Sequence, residues 1–508
     1  MSTARHDMYK RTAISGTAQD LRQRRVDIST AIRNRHRDEL ITSKRFRFLS
    51  INEPEIVDLE SAKIHDKYTD LFNLAEPQVK SLVNDLNSTH KKVRMDAVVY
   101  LGDYACNPSE ALVKYIKSGE CIKSLVNMVI CEVDPVIIQQ IVQVISNIAA
   151  GPYDLCVQCL PAIPYLVTML NSNNTEIREL ASYALGNMAS EDYDRTSEQD
   201  EEIRRDIILS GAIPLLIQML DSNEPNLIRS SCLTMSHLAR GPENQWRELR
   251  SKAMTLALLR HLTRHGATTG TEVCWLMGSM TANSEQFRKQ IIEEGLLPLL
   301  INVFQLLKSE DCAVLPALRT LGHLSSDSGT GRYLVLEPQF LPCLIQLTHS
   351  EDWVITKEAL WVLSNVTTIK MDDIVQIIRD TGEVKHMAEL IMHGKFEVRE
   401  EASKCLFNMV MHDPPSIAAL PHQFLLPAFL DFIQSQEEHL IILGLSYVEL
   451  LLKYVPELND IKRRPSIHHL CATNIVPFGN WLLTFNSQRT ANTISSCIGG
   501  RIHSGCCD

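Results

Sequence analysis

Apolar positions along the chain fall into short helical blocks that return about every forty residues. One block opens on Gly or a short loop and passes through Pro into an apolar run: PAIPYLVTML (161–170), GAIPLLIQML (211–220), GLLPLLINVF (295–304) and FLPCLIQL (340–347). A second follows about 25 residues later and ends in a small residue with Asn or a substitute. It reads VISNIAAG (144–151), YALGNMAS (183–190), TMSHLARG (234–241), WLMGSMTA (275–282), TLGHLSSD (320–327), WVLSNVTT (361–368) and CLFNMVMH (405–412). The marked positions Asn147, Asn187, His237, Ser279, His323, Asn365 and Asn408 are separated by 40, 50, 42, 44, 42 and 43 residues. The long interval holds EDYDRTSEQDEE (191–202), an acidic insertion that the pattern places in a loop. Each unit carries two or three short segments with apolar i, i+3, i+4 spacing, none able to bury its face alone. Stacking such units predicts an all-α, right-handed superhelical solenoid with a long concave binding surface. The period offers no enzyme pocket.

Composition narrows the picture. Aromatics are 6% of the 508 residues, too few for a β-rich fold built on regular turns. The longest nearly apolar run, Leu296 to Leu307, is broken by Asn302 and Gln305. It falls short of the ~20 residues a bilayer requires, so no membrane span is expected. No apolar stretch follows the first basic residues, which argues against a secretory signal. Most of the fourteen cysteines stand singly within helical patterns, and the one Cys-x-x-Cys, Cys156 to Cys159, lacks a second pair at zinc spacing. They read as core thiols, and the singly placed histidines offer no metal site. No phosphate loop, nucleophile motif or catalytic acid pair stands out, so neither enzyme nor cofactor is expected.

Charge divides the chain. Residues 1–48 hold twelve Lys/Arg against five acids, a net +7, which leaves −18 for the other 460 residues of a chain of net charge −11. Such an arm suits an acidic protein, or its own body. Direct nucleic-acid binding is disfavoured because the body repels phosphate. Leu21, Ile28, Ile32 and Leu40 are roughly turn-spaced, giving a helix with too little apolar surface to fold without a partner. Residues 49–74 read as an acidic linker and 461–508 as an irregular tail.

These features resemble the importin alpha family, adaptors that carry nuclear localisation signals. LRQRRVDISTAIRNRHRDE (21–39) followed by Lys44-Arg45 looks like the family's importin-beta-binding segment. The resemblance implies importin beta as a partner of Arg22, Arg24, Arg25, Arg33, Arg35 and Arg37, and an autoinhibitory role for Lys44 and Arg45. The body, residues 75–460, looks like about nine armadillo repeats whose third helices carry a Trp-x-x-x-Asn pair. One helical turn separates that pair, so both side chains share a face. The Asn amide suits the backbone of an extended peptide, and Trp slots take Lys or Arg stems by packing and cation–π attraction. Cargo proteins with basic signals, and shuttling between cytoplasm and nucleus, follow from the resemblance.

The scheme is kept in part. Asn147, Asn187, Asn365 and Asn408 hold the Asn position, while His237 and His323 replace it elsewhere. Trp stands at Trp275 and Trp361, but Gln143, Tyr183, Leu233 and Lys404 occupy its other positions, and Arg319 precedes His323 as is usual for the family's sixth repeat. Glu191 matches the acid that receives the signal's key lysine, and Glu358 and Glu401 match acids of the second, minor site. A stacked Trp contributes ~0.5–2 kcal/mol, so the first site is expected to be weakened and the minor site to dominate. Trp246 and Trp353 lie off this register and are expected to pack internally. The tail lacks the family's acidic tenth repeat, which puts engagement of an export receptor in doubt. An armadillo scaffold that has given up general signal binding and serves one specialised partner is the alternative.

Overall fold

The computed structural model describes residues 74–132, 134–190, 197–263, 267–306, 313–369, 372–435 and 437–455. The arm residues Arg22, Arg24, Arg25, Arg33, Arg35, Arg37, Lys44 and Arg45 lie outside them, as do Glu191 and the tail. The described residues form helices, turns and loops with no strand. They divide into two compact units, 74–369 and 372–455.

In the larger unit, short helices lead into a longer third helix, and these third helices pack side by side in sequence. We number them α1 (Lys91–Ala105), α2 (Pro135–Ala149), α3 (Thr175–Ala189), α4 (Pro225–Leu238), α5 (Ala267–Asn283), α6 (Val314–Ser326) and α7 (Trp353–Val366). They begin where the sequence supplies a start signal. Pro135 and Pro225 sit at first-turn positions where a missing N–H costs nothing. Asp134, Asn174 and Asp352 accept backbone N–H bonds as N-caps. The preceding apolar helix often enters from a left-handed glycine. Gly211 (φ 87°) ahead of Ala212–Leu220 is such a position, and a side chain there would be strained.

The core runs between the helical layers, and α2, α3, α4 and α7 are buried over most of their length. Side-by-side packing is possible because small residues stand at the crossings. A Cβ on Gly186 would lie 2.8 Å from Thr234 Oγ1, and one on Gly322 would lie 2.1 Å from Trp361 Cζ3. The Thr234 hydroxyl donates to the Ser182 carbonyl at 2.7 Å, tying α4 to α3.

The smaller unit contains α8 (Phe396–His412) and α9 (Glu438–Tyr454), with three shorter helices, Asp372–Asp380, Glu383–His393 and His422–Ile433. Gly382 (φ 80°) repeats the left-handed start ahead of Glu383–His393. The stacked rings of Phe429 and Tyr447, 3.8 Å apart, fix α9 on His422–Ile433. Cys156 and Cys159 are both fully buried, and burial pushes the Cys159 thiol far above its usual range. Core packing suits these thiols. Trp246 is buried as expected, its indole N–H donating to the Gly241 carbonyl at 2.8 Å. Trp353 departs from expectation: it is 36% exposed at the start of α7, with the Lys357 ammonium 5.9 Å from its ring centre.

Candidate functional site

The third helices bring the repeated positions into register, and three of the predicted asparagines share one geometry. Asn147 Nδ2 donates to the Gly102 carbonyl at 3.0 Å, Asn187 Nδ2 to Ser146 at 3.1 Å, and Asn365 Nδ2 to Gly322 at 3.1 Å. Ser146 and Gly322 each stand one residue before the marked position of the preceding repeat. Asn187 and Asn365 add bonds to the Ser146 and Ser325 hydroxyls. All three side chains are buried, and so is Asn408 in the smaller unit. The amides expected to grip a peptide backbone thus bond across the repeat boundary, where a buried donor without a partner would cost ~1–3 kcal/mol. Sequence reading missed Asn283, four residues after Ser279, which bonds across the same kind of boundary about one turn further on, to the Ala239 carbonyl at 3.0 Å.

The aromatic positions diverge from one another. Trp275 on α5 is half-buried, and the Arg319 guanidinium from α6 sits 5.4 Å from its ring centre. Trp361, expected to line an open slot, is only 1% exposed. Its ring lies on α6 over Gly322, with His323 edge-on at 5.4 Å. The missing Cβ of Gly322 draws the indole inward. Tyr183 is buried on α3, and burial together with the nearby charges of Glu179 and Glu272 raises its phenol.

Acids and bases complete the face. Glu358 is buried on α7, 3.4 Å from Arg319 Nη2 and 3.6 Å from Lys357 Nζ. In the smaller unit Glu401 is buried on α8, 3.2 Å from Lys404 Nζ. Both acids assigned to the minor site therefore hold cations of this chain. Another set was not singled out from sequence. Glu179 stands four residues before Tyr183, Arg229 eight before His237, and Glu272 seven before Ser279, so each shares its helix face with the marked position. Burial raises the Glu179 carboxyl, partly offset by a hydrogen bond from Asn226 and the charge of Arg229. A carboxylate so placed favours an approaching cation. The signal for these residues was present as spacings of seven or eight residues, two helical turns, from the marked column.

Comparison with known proteins agrees with the repeat geometry. The HEAT repeat family matches residues 162–191, a helix pair ending in α3. Importin subunit alpha-9 of Arabidopsis thaliana is 26% identical over 332 residues, 61% of this chain and 62% of that protein. Importin subunit alpha-1a of Oryza sativa subsp. japonica is 25% identical over 381 residues, 74% of this chain and 68% of that protein. The chain is thus similar in sequence to importin alpha subunits. In fold, it is similar to the crystal structure of an engineered protein, with a TM-score of 0.64 at 21% identity over 82% of this chain and 98% of that one. No helix among the described residues is long and apolar enough to cross a membrane.

Proposed function

We propose that this importin alpha-like chain is a nuclear-import adaptor. Its larger unit reads basic peptides of cargo along α3 to α5, and its N-terminal arm engages importin beta. The observation that supports this most is the placement of Glu179 and Glu272 about the buried Tyr183, with Glu179 desolvated. A lysine or arginine laid across α3 and α5 beside Tyr183 would bring its charged head to those part-exposed carboxylates. That replaces the interaction sought at Glu191 with one built from the helices themselves. Asn147 and Asn187 then act by fixing the spacing between repeats. Asn365 does the same beside Trp361, while Trp275 and Arg319 form the wall at α5 and α6.

A second reading has a specific observation behind it. With the asparagine amides bonded across repeats and Glu358 and Glu401 holding internal cations, the alternative is a scaffold serving one specialised partner. A titration of the full chain with a fluorescein-labelled Lys/Arg octapeptide separates the two. Under the adaptor reading, Glu179→Gln together with Glu272→Gln weakens binding by roughly 30- to 1000-fold, as expected for two charge-assisted contacts of ~1–2 kcal/mol each. No saturable binding by the wild type would favour the scaffold.

A further inference from the structure

Lys404 stands four residues before Asn408, on α8, and its surroundings differ from those of other helix ion pairs in the molecule. Its ammonium meets the Glu400 carboxylate one turn away and lies 3.2 Å from Glu401 Oε1. From α9, His439 Nε2 closes on the same Glu400 carboxylate at 3.0 Å. The Lys404 side chain is 12% exposed. Lys289 and Glu285 have the same i, i+4 spacing with side chains 56% and 61% exposed. An exposed pair of that kind contributes little and exchanges freely with water. Lys404 is instead held, largely buried, between two carboxylates, one of which is also bonded by His439 of a neighbouring helix.

We propose that Lys404 is a specificity-determining plug: an internal lysine occupying the carboxylates that a basic ligand side chain would require, which closes this part of the molecule to Lys and Arg. The inference rests on the basic-peptide reading above and restricts where such a peptide binds. Glu400 and Glu401 supply two negative charges, Lys404 returns one positive charge, and His439 occupies a second lone pair of the same Glu400 oxygen that Lys404 meets. A ligand lysine would have to displace an ammonium already tethered to the same helix, whose effective concentration at Glu401 exceeds that of any free peptide. The aliphatic stem of Lys404 also fills the volume in which a ligand stem would lie. The position selects against basic side chains by both charge and shape.

Two measurements on the full chain test the plug. The first is reductive methylation of lysines read by mass spectrometry, which needs no ligand. Lys404 should react at least 10-fold more slowly than the exposed Lys395, and should become reactive in Glu400→Gln. Equal reactivity of Lys404 and Lys395 in the wild type overturns the proposal, whatever the variants do. The second is titration with the Lys/Arg octapeptide. Lys404→Met should raise affinity by 5-fold or more, or add a second equivalent of bound peptide, while Lys404→Arg should match the wild type. Glu401→Gln should change wild-type affinity less than 2-fold and remove the gain made by Lys404→Met. If the wild type binds and Lys404→Met gains nothing, the plug fails while the basic-peptide reading stands. If the wild type does not bind and Lys404→Met does, the plug is supported and the reading of α3 to α5 fails. If neither binds, both fail.

Discussion

Close approach of neighbouring repeats decides which side chains of the marked column remain accessible. Gly322 shows this most directly. The Trp361 ring lies where a Cβ on residue 322 would be 2.1 Å from Cζ3, so any larger residue forces the indole out of its seat. Gly322→Ala is expected to destabilise the protein by ~1–3 kcal/mol through overpacking, and to raise the accessibility of Trp361 to acrylamide quenching. An unchanged urea midpoint with unchanged quenching would show that the ring is not held there. The register of Trp361 with Asn365 was legible in the sequence. Its burial was not, because that depends on the size of a residue 39 positions earlier on a different helix. The asparagines follow the same logic: periodicity located them, but their amides bond to carbonyls 41 to 45 residues away, pairings that no local pattern prints. The acids of the larger unit were legible in principle, since Glu179 stands one turn before Tyr183.

Among elements, the helices were the most legible feature, because a repeat of short amphipathic segments admits few other folds. The acidic insertion after Asn187 was legible as an interruption of the period, but its residues 197–202 open the helix Ser197–Leu209 where a loop was expected; Gly211 and Gly295 were legible as helix starts. What the pattern lacked was the identity of the groups that meet across helices, and α8 with α9 gives a measurable case. Burial alone would raise the Glu400 carboxyl. The Lys404 ammonium and the hydrogen bonds from His439 and Lys404 outweigh it and hold the group at about 2. The folded value lies below the ordinary one, so the stabilisation is fully present above about pH 4.5 and is lost as pH falls toward the folded value of about 2. Glu400→Gln should therefore cost ~1.5–3 kcal/mol near neutral pH, and the difference from wild type should shrink between pH 5 and pH 3. Urea denaturation of both proteins at pH 6, 4 and 3 measures this. A difference that stays constant across that range would mean the carboxylate is not held by its neighbours.

For the whole molecule the governing quantity is the opposition of an arm of +7 to the −18 of the rest of the chain. About thirty residues separate Lys44-Arg45 from the helix beginning at Glu76, and such a length can span at most ~100 Å. Under the proposed function, a basic segment on that tether would compete with cargo peptide at an effective concentration on the order of 1 mM. With an intrinsic dissociation constant of ~100 μM it would lower the apparent affinity for a free peptide about 10-fold. A partner that removes the arm restores that factor, so importin beta and cargo peptide should bind with positive coupling. Deleting residues 1–48 should raise octapeptide affinity roughly 10-fold, and saturating importin beta should produce a gain of the same size in the intact chain but none in the deletion. Both effects should diminish at high ionic strength, where the charges of arm and body are screened. Reversing Arg24 and Arg25 to Glu should abolish importin beta binding, and should relieve the competition only as far as those residues take part in it. A gain of less than 2-fold on deletion would remove the autoinhibitory role of Lys44 and Arg45 while leaving the helix face of Glu179, Tyr183 and Glu272 as the peptide site. Importin beta binding that survives the double reversal would instead count against the adaptor itself, because the arm is the feature that separates an adaptor from a scaffold built on the same repeats.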